Sequence, residues 1–164
     1  MQFRDIEGQY VLANRLTEII DSGRISHAQL FLGPTSSGSL ALALAYAQYL
    51  GCNNRQHYPE GSPLRADSCG VCPNCAKYAQ LAHPDLHLLF PNATTAHVKS
   101  NPCSEDFIDE FRQFMAQYHQ MGTEDDWFES LGVENKQCYI REKDADTTIH
   151  NLALTSYEGG YKKT

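Results

Sequence analysis

The sequence predicts an α/β protein, a parallel sheet flanked by helices with a small metal-binding insertion. Three observations lead there. Apolar residues recur at helical spacing in several segments, two short apolar runs end at glycine or proline turns, and four cysteines crowd a polar stretch without periodicity. With 164 residues, 41% of them hydrophobic, nine Tyr and seven Phe, the chain can bury one ordinary core. That composition argues against disorder and against a disulfide-stapled miniprotein. No apolar run approaches the roughly 18 residues of a membrane helix, so no span is expected.

The elements follow in order. Between Val11 and Asp21, Leu12, Leu16, Ile19 and Ile20 recur at helical spacing, and Ser22-Gly23 ends the helix. Gln29-Leu30-Phe31-Leu32 runs into Gly33-Pro34, the pattern of a buried parallel strand ending at a turn. Leu40 to Leu50 is rich in Ala and Leu, which lose little entropy in a helix and pack closely on a sheet. The next stretch, to Cys75, reads as a loop held by something other than a core. Ala76 to Ala82 extends a short helix from the last cysteine, and Leu86 to Phe90, closed by Pro91, reads as a second strand. Phe107, Ile108, Phe111, Phe114 and Met115, then Trp127, Phe128 and Leu131, predict two amphipathic helices. Asp144 to Thr155 is a further helix, and Tyr157 to Tyr161 is turn-like.

Charge is unevenly placed. The net charge of −7 arises in residues 100–134, where nine carboxylates face only Arg112, and the remainder sums to +1. A chain of this balance lacks the cations with which a generic phosphate-backbone binder releases counterions. No basic segment followed by an apolar one opens the sequence, so a cytoplasmic, reducing setting is expected. There, six cysteines are not read as disulfides.

Cys69-x2-Cys72-x2-Cys75 sets three thiols within seven residues, and Cys52 lies 17 positions upstream. Four thiolates can enclose one zinc ion tetrahedrally at about 2.3 Å, leaving no position for water. The ion would staple a loop and do no chemistry. An iron–sulfur cluster uses the same ligands, His57 could replace Cys52, and free thiols are the plain alternative. Cys103 and Cys138 read as single thiols. His83 and His87 fall around Pro84 in a strand-like segment, which suits packing or exposure better than a metal pair.

Gly33-Pro34-Thr35-Ser36-Ser37-Gly38-Ser39-Leu40 lies where a phosphate-binding loop would sit, with the right G-x4-G spacing. That motif needs Lys after the second Gly, then Ser or Thr to hold magnesium; Ser39 and Leu40 stand there instead. Phosphoryl transfer depends on such electrostatic positioning, so ATP hydrolysis is not expected. A plain strand-to-helix turn and residual nucleotide or phosphate binding both remain open.

Taken together, Ile6-Glu7-Gly8-Gln9, the run from Gly23 to Pro34, the four cysteines and His83-Pro84-Asp85 resemble the N-terminal part of a bacterial DNA polymerase III clamp-loader subunit. Within that AAA+ family the likeness is to the delta prime type. It covers residues 1–92 and returns at 140–162, and residues 93–139 look like an acidic helical insertion. The resemblance implies a partial P-loop NTPase-like (AAA+) module over 1–164, with a zinc insertion at about 51–76. Zinc falls to Cys52, Cys69, Cys72 and Cys75, and a degenerate nucleotide loop to Gly33, Pro34, Thr35, Ser36, Ser37, Gly38, Ser39 and Leu40. It further implies a non-catalytic role in a hetero-pentameric ring with gamma/tau and delta subunits, which loads the sliding clamp on primed DNA during replication. A catalytically active gamma/tau-type ATPase is the alternative. A zinc-ribbon nucleic-acid binder is a third reading, but around the cysteines only Arg55, Arg65 and Lys77 supply cations. In the family a Walker B strand, lid and collar follow; without them the sheet is expected to be incomplete at the C-terminus, with exposed edges and apolar faces.

Overall fold

The computed structural model describes residues 1–154 and Ser156. Thr155 and the turn expected at Tyr157 to Tyr161 lie outside them. The chain divides into two compact units, Met1–His83 and Pro84–Thr164.

In the first unit, α1 (Tyr10–Asp21) buries Ala13, Leu16 and Ile20 along one stripe. α2 (Ser39–Gly51) is apolar nearly all round and is buried over most of its surface. The two share a core with Phe3, Ile6, Leu64 and Ala66. Where α2 ends, its last carbonyls lack helical partners. Arg55 supplies them, donating to the carbonyls of Tyr49 (3.1 Å) and Leu50 (3.2 Å) while facing Asp21 at 3.4 Å. The chain then forms a short antiparallel hairpin, β1 (Gln56–His57) against β2 (Ala66–Asp67), with Gln56 opposite Asp67. α3 (Pro73–Ala79) closes the unit. It starts before the expected Ala76, because Pro73 suits a first helical turn that needs no N–H. The Tyr78 ring occupies the space where Gly51 would carry a side chain, so α2 and α3 approach closely.

The expected parallel sheet is not formed among the described residues, where the hairpin is the only sheet. Residues 29–32 are irregular: Leu30 and Leu32 are 85% and 87% exposed, while Phe31 between them packs on Tyr46 with ring centroids 5.9 Å apart. An apolar run becomes a parallel strand when neighbours take its N–H and C=O groups and both faces are covered. Here one face reaches the core and the other meets water. Leu86–Phe90 likewise forms no named strand among the described residues, although Leu86 makes a single bridge; Leu86 to Leu89 are half-buried and Phe90 is fully buried. The fold is therefore α/β with helices dominant.

The second unit holds α4 (Ile108–Gln117), α5 (Glu124–Ser130) and α6 (Glu142–Ala153). α4 and α5 are the helices expected in the acidic stretch, with Glu105, Asp109, Glu110, Glu124, Asp125 and Glu129 exposed. Their inner faces meet around Phe90, which stacks on Phe111 at 4.0 Å. Trp127 stands edge-on to both rings, at 5.2 and 5.1 Å. The indole N–H donates to the Pro91 carbonyl at 2.9 Å. Helix starts carry acidic caps. Asp106 accepts from the Cys103 N–H (2.9 Å) and Asp126 from the Thr123 N–H (2.8 Å). Buried Asp144 accepts from both Ser104 N–H (2.6 Å) and Arg141 N–H (3.0 Å), joining two helix starts.

Hydrogen bonds from the side chain and backbone of Cys103 hold the Asp106 carboxyl below its usual range, and those from Thr123 do the same for Asp126. A depressed folded-state pKa adds stability above the ordinary carboxylate value, and this is lost as pH falls through the lower, folded value. Acidification below about pH 4 should therefore loosen this unit. Trp127, the single tryptophan, reports it. Emission unchanged down to about pH 2 would contradict the assignment.

Candidate functional site

The four clustered cysteines converge from the ends of three elements. Cys52 follows α2, Cys69 lies just beyond β2, Cys72 caps α3 and Cys75 sits in its first turn. Their sulfurs lie within 4.8 Å of one another, with Cys52 to Cys69 at 3.6 Å and Cys69 to Cys75 at 3.9 Å. A sulfur tetrahedron around zinc has edges of about 3.8 Å. The cysteines thus stand where one ion needs them, and together they could hold a metal ion such as zinc. A multi-iron cluster would hold its thiolates further apart. His57, the other candidate ligand, faces Asp21 at 3.9 Å instead. Among the described residues no other group of this kind occurs.

Backbone donors surround the sulfurs. The N–H groups of Asn54 (3.4 Å) and Cys69 (3.3 Å) point at Cys52, that of Cys72 at Cys69 (3.3 Å) and that of Cys75 at Cys72 (3.5 Å). Such donors offset the negative charge that four thiolates gather around a metal. Burial pushes the Cys52 and Cys75 thiols up. Burial also opposes ionisation of Cys69, but the N–H groups of Val71 and Cys72 and the adjacent thiols outweigh it and bring Cys69 to about 6. Cys69 thus gives up its proton more readily than Cys52 or Cys75, and a metal held by all four sulfurs would require each to be deprotonated. An ion held by Cys52, Cys69, Cys72 and Cys75 would cross-link α2, the hairpin and α3, and a closed four-sulfur shell would leave no open position for catalysis.

A buried carboxylate adjoins this centre. Asp67 has no exposed surface and accepts the N–H groups of Phe3 (3.1 Å), Arg4 (3.0 Å) and Ser68 (2.8 Å), with Arg4 Nε at 3.3 Å. Gln2 Nε2 donates to the Ser68 carbonyl at 2.5 Å, and Gln48 Nε2 to the Ser68 hydroxyl at 2.9 Å. The sequence does not single Asp67 out: beside Arg65 and Ser68 it looks like any loop carboxylate. Only the approach of residues 2–4 reveals its part.

The glycine turn leads into α2 without the expected strand before it. Ser37 N–H donates to the Pro34 carbonyl at 3.0 Å, and Leu42 N–H to that of Gly38 at 2.8 Å. Gly38 needs its lack of a side chain, having φ of 76° as it caps α2. Ser37 Oγ fills the space where Gly33 would carry a Cβ, and it has no hydrogen-bond partner among the described residues. Gly33, Pro34, Thr35 and Ser36 are exposed, and Ser39 and Leu40 open the first turn of α2. Elsewhere, His83 stacks on Tyr78 at 4.3 Å and His87 approaches Asn151 at 3.4 Å, so packing accounts for each. Of the cations near the cysteines, Arg55 is committed to the end of α2, which thins the basic surface a nucleic-acid binder needs.

A family model described as "DNA polymerase III, delta subunit" matches residues 8–162, a range that contains the four cysteines and the whole glycine turn. The chain belongs to this DNA polymerase III clamp-loader family. As a member of it, the chain is 38% identical to DNA polymerase III subunit delta' of Bacillus subtilis over 73 residues, 44% of this chain and 20% of that protein. It is 31% identical to subunit delta' of Pseudomonas aeruginosa over 102 residues, 61% and 27% of the respective lengths. Against subunit gamma/tau of Mycobacterium tuberculosis it is 35% identical over 77 residues, 47% and 12%. The chain thus spans between 12% and 27% of the length of these clamp-loader relatives. No solved structure matches it. Among the described residues no helix is long and apolar enough to cross a membrane.

Proposed function

We propose that this chain acts as a delta prime-type, non-catalytic AAA+ subunit of the DNA polymerase III clamp loader. In this reading it contributes shape and contacts to a cytoplasmic ring with gamma/tau and delta subunits, the assembly that places the sliding clamp on primed DNA. Zinc held by Cys52, Cys69, Cys72 and Cys75 is structural. One observation carries the non-catalytic part: Ser39 and Leu40 occupy the two positions at the head of α2 where a working loop needs a lysine and a magnesium-holding hydroxyl. The helix start still presents N–H groups, but without a cation near the β and γ phosphates the transition-state charge goes uncompensated.

The gamma/tau-type ATPase is favoured by one finding, the comparable identity to gamma/tau relatives. Titration with a fluorescent ATP analogue, with and without magnesium, separates the two. The expected result is no magnesium-dependent tightening and no turnover above background. Turnover that vanishes in Gly38→Ala would instead establish the ATPase. Mixing the chain with purified gamma and delta subunits should give a complex on size exclusion; separate elution of all three would remove the assembly role.

A further inference from the structure

The cysteine centre and the glycine turn both touch one short segment, residues 2–9. At its first end, the Phe3 and Arg4 N–H groups are bound by Asp67 and Gln2 donates to the Ser68 carbonyl. Gln2 Oε1 also lies 2.6 Å from where Gly70 would carry a Cβ, inside the Cys69–Cys72 loop, and Gly70 has φ of +74°. At the other end, Gln9 Nε2 donates to the Ser37 carbonyl at 3.3 Å and Ile6 lies 3.9 Å from where a Gly38 Cβ would be. Between these contacts Phe3 and Ile6 are buried in the core of α1 and α2. Asp67 and Ser68 immediately precede Cys69, so whatever fixes that sulfur also fixes the acceptors that seat residues 2–4.

We infer that residues 2–9 form a metal-dependent strap that couples the cysteine centre to the glycine turn. With an ion bound, Asp67 to Gly70 are rigid, the strap is seated, and Gln9 and Ile6 brace the turn. With the ion removed, the acceptors on Asp67 and Ser68 move, the strap is released, and the turn loses its brace. α1 and α2 keep their mutual packing through Leu16, Ile20, Tyr46 and Tyr49. The two-state element is the strap itself, docked or released, and it is biased by an ion it does not ligate.

Hydrogen exchange of the full chain, loaded with zinc or stripped by a chelator, tests this. Chelation should speed exchange at least about tenfold for the Phe3, Arg4 and Ser37 amides, which are hydrogen-bonded to Asp67 and to the Pro34 carbonyl, with residues 10–21 changing far less. Acceleration confined to residues 52–76 would overturn the coupling. So would exchange of residues 1–83 as one block, because the strap would then be no different from the rest of the unit. Gln9→Ala gives a second arm that leaves the cysteines and Asp67 intact. Its zinc content and the protection of residues 2–6 should match the parent, while the Ser37 amide exchanges faster even when loaded. A turn as slow as in the parent would refute the link.

Discussion

Replacing Cys75 with serine should abolish zinc retention and melt the hairpin and α3. Cys75 has no exposed surface and its sulfur stands 3.9 Å from that of Cys69, so a serine hydroxyl there is a poor ligand in a dry position. Structural zinc contributes on the order of 10–16 kcal/mol of apparent binding energy in small metal-folded peptides, comparable to the whole stability of an ordinary domain. Besides the metal, this region is tied down by the core contacts of Leu64 and Ala66, by Tyr78 against Gly51 and by the bonds of Asp67, but its secondary structure is short. α3 has seven residues, too few to persist alone, and the hairpin strands have two each. Elemental analysis should find about one zinc per parent chain and none in Cys75→Ser, with a matching loss of helical circular dichroism. Cys138→Ser, outside the cluster, should change neither. Stoichiometric zinc in Cys75→Ser would remove the site.

The second large effect is expected at Asp67. Truncation to alanine leaves the buried N–H groups of Phe3 and Ser68 and the part-buried one of Arg4 without their acceptor, and each fully buried orphan costs about 1–3 kcal/mol. A total destabilisation of about 3 kcal/mol or more follows, a large share of the stability of a small domain. The Arg4 ion pair adds little to that figure, because the Arg4 side chain is 47% exposed. Asp67→Asn keeps one oxygen acceptor and should cost less while retaining zinc. Urea unfolding measures both. A change within about 0.5 kcal/mol for the alanine variant would show that residues 2–4 are not held as described.

What the sequence disclosed was whatever depends on neighbours a few residues away. Helical periodicity is local, so α1, α4, α5 and α6 could be read from residues such as Leu12 and Leu16 or Phe111 and Phe114, and α2 from its Ala and Leu content, without knowing their surroundings. The cysteine cluster was legible for the same reason, since the x2 spacers let adjacent ligands meet on one ion. The strands were not. Gln29 to Leu32 has a strand's composition, but a ladder needs partners from elsewhere, and among the described residues none flanks it. Asp67 and Gln9 were invisible because each acts on residues far along the chain, 64 positions for Phe3 and 28 for Ser37.

Leu30 and Leu32 keep nearly all of their side chains in water. Shielding both would release roughly 3–6 kcal/mol, as much as many small domains have in reserve. Any surface that capped this seam would therefore steady the polypeptide itself, and association and thermal endurance would rise together.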